Sequence, residues 1–220
     1  MIIRGCVESR RSGGGRIARA VATREAVASV LGRRLPVLVG GDCPVLLGAL
    51  AAVRDGYGSC GLLFVDGHED AWPPARSTTG EASDCELAIA LGSVETPLPP
   101  PLADLVPLLP PEAVAMLGPR DRAELDRDDV PSLAGTVALF RDDEALRARG
   151  PSAATRQAIE VVARAAPAFW LHIDLDVLRT DQLAAVDYPQ LRTTQHPARH
   201  TSATPTGAPP RDGAGSQTEA

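Results

Sequence analysis

The sequence predicts an α/β fold, a three-layer α/β/α sandwich with a mostly parallel sheet. Three observations carry that expectation. Short runs of apolar residues alternate with segments of helical periodicity. The runs are apolar at nearly every position, as strands covered on both faces are. Polar residues suited to chemistry recur directly after the runs, where open α/β sheets bind their ligands.

The elements follow in order. Residues 16–33 place Ile17, Ala20, Val21, Ala28 and Leu31 at helical spacing, with Arg24 interrupting the stripe. Residues 35–39 form a short apolar strand, closed by the turn Gly40-Gly41-Asp42-Cys43. A helix then spans 44–53, with Pro44 in its first turn and Asp42 as its expected cap. Residues 61–65 read as a strand and 86–91 as a helix. The intervening 97–111 holds seven prolines and reads as loop. A strand over 113–117 leads to a turn and helix over 118–128, and a further strand covers 136–140. Pro151 opens a helix over 151–166, and 168–173 is the last strand, ending in Asp174-Leu175-Asp176.

The chain has 220 residues, of which 44% are hydrophobic, enough for one domain with an ordinary core. We expect an α/β domain over 1–190. From Arg192 to Ala220 there is no large apolar residue, so 191–220 is expected to be a disordered tail. The formal net charge of -6 and the lack of a basic stripe argue against a nucleic-acid partner. No apolar run reaches the roughly 18 residues of a membrane span, and the N-terminus is too short for a signal peptide. Cys6, Cys43, Cys60 and Cys85 form no CxxC pair and read as reduced thiols, so the expected compartment is the cytoplasm. All 22 basic residues are Arg, and Asn is absent, which a GC-rich genome explains.

The stretch LLFVDGHEDAW, residues 62–72, puts Asp66, His68 and Asp70 at period two behind a strand. The same period aligns His172, Asp174 and Asp176. Converging carboxylates repel and are costly to desolvate, and no Arg lies within these loops. A divalent ion such as Mn²⁺ resolves that conflict. Each motif alone also suits a turn cap; the two together, with Gly40–Cys43 as a third element, suit a metal. Asp66, His68, Asp174 and Asp176 are expected around one point, with Asp70 and Cys43 on its other side.

These three motifs resemble the arginase/ureohydrolase family of arginases, agmatinases and formiminoglutamases. That family carries GGDH, DAHxD and SxDxD in this order. Here they stand as Gly40-Gly41-Asp42-Cys43, Asp66-Gly67-His68-Glu69-Asp70 and His172-Ile173-Asp174-Leu175-Asp176. The resemblance covers roughly residues 35–190. It implies an arginase-like fold and a site for up to two Mn²⁺ ions. It implies hydrolysis of a C–N bond in a linear guanidino or amidine substrate, and a homo-oligomer as an option. Carried over by position, Asp66 and Asp174 bridge the ions, and His68 and Asp176 complete one shell. Asp70 and the residue at Cys43 belong to the other, and His68 and Asp70 stand at the catalytic centre.

The departures shape further expectations. Cys43 replaces the family's His, and a thiolate is softer than imidazole. His172 replaces Ser; it reads equally as a substitute ligand, a partner behind the ligands, or a core histidine. The loop with Glu81, Asp84 and Glu86 lacks the family's His; these acids face the cavity or cap the next helix. No match to the family's substrate Glu follows Gln190, so the chain reads as a divergent member shortened at its C-terminal side. His196 and His200 fall in the tail. Three rivals stand beside this reading. A dehalogenase-like phosphatase would share the strand followed by DxD, but this chain has no Lys. A nucleotide-binding domain would rest on Gly40-Gly41 alone. A degenerate family member would bind one metal or none and lack catalysis.

Overall fold

The computed structural model describes residues 2–4, 13–40 and 44–183. Asp42, Cys43, Cys6 and the expected tail therefore lie outside the described residues. Strands β1 (Ile2–Arg4) and β2 (Val37–Val39) form a parallel pair. Strands β3 (Gly61–Val65), β4 (Val114–Leu117), β5 (Leu139–Arg141) and β6 (Phe169–Ile173) form a second parallel sheet, ordered β5-β4-β3-β6. Helices α1 (Gly13–Ala28), α2 (Val45–Tyr57), α3 (Glu86–Leu91), α4 (Arg122–Arg127), α5 (Asp143–Arg149) and α6 (Pro151–Ala165) connect them. Among the described residues no helix is long and apolar enough to cross a membrane.

Strand alternation divides the core into two layers. Leu62 and Phe64 of β3 and Val114 and Met116 of β4 face Leu46, Leu50 and Val53 of α2 and Leu87 of α3. Leu63, Ala115, Leu117 and Leu139 face Ala154, Ala158 and Val162 of α6. The sheet thus lies between two helical layers, as expected. Helix α1 packs closely on α2. A Cβ at Gly48 would stand 2.2 Å from the Ala20 carbonyl oxygen, so only glycine fits that crossing. Arg24, which broke the apolar stripe, donates through Nε to Asp55 of α2 at 2.7 Å.

Four expectations need correction. Helix α1 begins earlier, within a glycine run, and gives way to turns after Ala28. Strand β5 starts three residues late, because a 3₁₀ turn over Leu133–Gly135, capped by Ser132, takes up the preceding chain. Helix α2 begins at Val45, one residue after Pro44, and runs on to Tyr57, past the expected end at 53. Finally, β2 and β6 are not buried on both faces. Val37 and Val39 are largely exposed, as are Leu171 and Ile173. Strand β6 is the edge of its sheet, and α6 lies over β3 and β4 instead.

Candidate metal centre

Three loops meet at the carboxyl ends of the strands, and the ladder itself sets their heads. The Asp66 N–H donates to the Leu117 carbonyl at 3.1 Å, and the Asp174 N–H to the Val65 carbonyl at 2.9 Å. Each parallel strand is thereby extended by one residue, and Asp66 and Asp174 are fixed side by side. Two glycines let the loops close. A Cβ at Gly67 would lie 2.8 Å from the Asp176 carbonyl oxygen. Gly118 has φ +104°, and a Cβ there would lie 2.6 Å from Val177 Cγ2.

The side chains gather in two overlapping groups. Asp66, His68 and Asp176 form one, and Asp66, His172 and Asp174 the other; within each, the ligating atoms lie within 4.8 Å of one another. His68 Nδ1 is 2.7 Å from Asp176 Oδ2 and 3.8 Å from Asp66 Oδ1. Backbone donors orient the carboxylates: His68 N–H to Asp66 Oδ1 at 2.8 Å, Gly67 N–H to Asp176 Oδ1 at 2.9 Å, Asp176 N–H to Asp174 Oδ1 at 2.9 Å.

The electrostatics are strained in the direction a cation relieves. Burial pushes Asp66 up to about 6, with Asp176 and Asp174 adding to the push, while His172 and the His68 N–H oppose it. Burial disfavours a charged His68, yet the hydrogen bond and charge of Asp176, with Asp121 and Asp66, push it up to about 9. For Asp176, burial is outweighed by His68, and the carboxyl titrates below its ordinary value. Asp66 Oδ2 is buried and makes no hydrogen bond among the described residues. An orphaned carboxylate oxygen beside imidazoles and further carboxylates is a donor set suited to a divalent ion.

The other expected residues fall elsewhere. Asp70 is in neither of the two ligand groups. Its φ of 46° turns the chain left-handed and ends the strand-like alternation. Burial, with the nearby charges of Glu86 and Asp66, raises Asp70 well above its ordinary value. Glu86 is fully buried. Asp84 accepts from Ser77 Oγ at 2.8 Å and Thr79 Oγ1 at 2.7 Å, which ties it into its own loop. Glu81 accepts from Ser83 Oγ at 3.4 Å. Cys85, the residue before α3, makes no side-chain cap bond.

Three residues escaped the sequence reading. Arg120 reaches over from the end of β4. Its guanidinium donates to the carbonyls of Asp176, Val177 (3.2 Å) and Leu178 (3.4 Å), and its N–H donates to the Gly67 carbonyl at 3.0 Å. Asp121 accepts from the Glu69 N–H at 2.9 Å. Burial pushes Asp121 up to about 6 against the pull of that N–H and of His68. Glu69 is fully buried and accepts from Ser132 Oγ at 2.8 Å and the Leu133 N–H at 2.6 Å. The signal was available: Arg120 and Asp121 follow a strand within a Gly118-Pro119 turn, as the ligand motifs do.

Comparison with known proteins agrees with this geometry. The profile of the arginase family matches residues 16–191. The chain is similar to an N(omega)-hydroxy-L-arginine amidinohydrolase of Streptomyces lavendulae, 32% identical over 169 residues, 76% of this chain and 55% of that protein. It is 36% identical to an arginase of Eremothecium gossypii over 88 residues, 40% of this chain and 22% of the relative. The solved structure of arginase from Bacillus subtilis superposes with a TM-score of 0.67 at 20% identity, over 82% of this chain and 62% of that one. The chain thus spans about half or less of the length of these curated relatives. The chain belongs to the arginase family.

Proposed function

We propose that the strand-end cluster holds a divalent ion and that the protein hydrolyses a C–N bond of a small guanidino or amidine compound. The observation that carries this reading is the convergence of Asp66, His68 and Asp176, whose ligating atoms lie within 4.8 Å of one another, in a chain of this family. The S. lavendulae relative is named for acting on a hydroxylated arginine, which supports the substrate class. Mn²⁺ is the ion the family resemblance implies. A divalent ion supplies Lewis acidity and lowers the pKa of bound water toward neutrality.

The residues of this chain divide the remaining work. His68, Asp176 and Asp66 hold the ion, with Asp174 beside them. Asp176 orients the His68 imidazole through Nδ1. Asp121 accepts from the Glu69 N–H at 2.9 Å and so holds the backbone of the loop that carries His68. Arg120 keeps the Asp174–Leu178 turn against Gly67. Cys60 and Cys85 are free thiols and buried, which supports a reducing compartment such as the cytoplasm.

The test is an assay with Mn²⁺ against arginine, Nω-hydroxyarginine, agmatine and formiminoglutamate, following urea or formamide release. Turnover lost in His68→Ala supports the proposal. A protein that holds metal yet turns over none of these compounds supports the rival, a non-catalytic member of the family.

A further inference from the structure

We infer that His172 is the nitrogen ligand of a second cation position, adjoining the first and sharing Asp66 with it. The inference rests on the reading of this cluster as a metal centre and adds a ligand that the family motif does not contain.

Backbone geometry comes first. Strands β3 and β6 pair in parallel with Phe64 opposite His172. With a side-chain period of two, Asp66 follows Phe64 on that face and Asp174 follows His172. The three groups therefore project to one side of the sheet and meet just past its edge. The imidazole is held in place by stacking on Phe64, with ring centroids 4.8 Å apart and planes 10° from parallel.

The contacts then point to an ion rather than a proton between the groups. His172 Nε2 and Asp66 Oδ2 are both buried, and neither makes a hydrogen bond among the described residues. They face each other at 3.6 Å. That is beyond a hydrogen bond. Two donors bound to one ion at about 2.1 Å each stand about 3–3.5 Å apart. The observed gap is close to that spacing. The Asp66 side chain is only 2% exposed, so water does not readily serve its orphaned oxygen. Asp174 supplies a third donor in the same group.

The family pattern leaves this position short of a nitrogen. Its His stands at Cys43 here, and Asp70, assigned there by the motif, is in neither ligand group. His172 replaces the missing imidazole from a different strand.

The experiment uses the full chain, stripped with chelator and reloaded with Mn²⁺. Elemental analysis gives ions per chain, and electron paramagnetic resonance separates coupled from isolated Mn²⁺. The unaltered protein should hold about two ions with an exchange-coupled spectrum. His172→Ser should hold about one, with an isolated-ion spectrum and second-ion affinity lowered more than about 100-fold, beyond the usual effect of an outer-shell change. His172→Gln, which keeps most of the ring's volume, should behave alike and guards against misfolding. In the unaltered chain, Zn²⁺ should shift the Nε2 resonance of His172 in an imidazole ¹⁵N spectrum. Two ions retained at unchanged affinity in both variants, or no shift at His172, would overturn the inference and leave the metal centre standing. A single ion in the unaltered protein also overturns it. No bound ion at all defeats the underlying reading instead.

Discussion

Replacing Arg120 by Met should weaken metal binding more than its distance from any ligand atom suggests. The guanidinium donates to three successive carbonyls of the turn that carries Asp174 and Asp176, and its backbone N–H holds Gly67 from the other ligand loop. A hydrogen bond from a charged donor contributes on the order of 1.5–3 kcal/mol. The Leu178 contact is long at 3.4 Å and adds little. Two effective bonds set an upper range of about 3–6 kcal/mol. The turn is partly exposed, so water replaces part of this, and a loss of about 2–3 kcal/mol is expected. Because the freed turn also carries two ligands, Mn²⁺ affinity should fall by about 10–100-fold. Arg120→Lys should fall between, since one ammonium cannot span three carbonyls. Urea unfolding in EDTA reads the first quantity, and competition with a chelating dye reads the second. Reduced stability with unchanged Mn²⁺ affinity would refute the positioning role.

Two further outcomes follow. In EDTA, stability should decline as pH rises. Asp66 and Asp121 are raised to about 6, so their contribution is complete below about 4 and lost through about 6. That of His68 is complete below about 6.5 and lost through about 9; urea midpoints that climb between pH 6 and 9 without metal would contradict this. Gly48→Ala should cost about 2–3 kcal/mol, since the added methyl meets the backbone oxygen of Ala20 at 2.2 Å and α1 must retreat; thermal unfolding checks it.

Much of this was legible in the sequence because period and punctuation are local. Strand β3 and helix α3 have the bounds their apolar runs indicate, since Gly61 and Gly92 mark their ends. The ligand loops were legible because Asp66 and Asp174 sit one residue past their strands, where the two-residue period still holds. Asp70 stands outside both ligand groups, where a left-handed residue breaks the period, and no composition signal announces it. Burial of β6 was misjudged because an apolar run does not say which strand lies at a sheet edge. Arg120 and Asp121 were missed because their partners are about fifty residues away in sequence, at Glu69 and at Asp176.

The central claim is that the ends of β3 and β6 form a metal centre. Elemental analysis tests it most directly, on protein reloaded with Mn²⁺ and dialysed, beside Asp66→Asn and His68→Ala variants whose folding is verified by circular dichroism. We predict at least one ion bound per unaltered chain and almost none in Asp66→Asn, since Asp66 belongs to both ligand groups. An unaltered chain that emerges metal-free, or an Asp66→Asn variant that keeps its ions, would contradict the account.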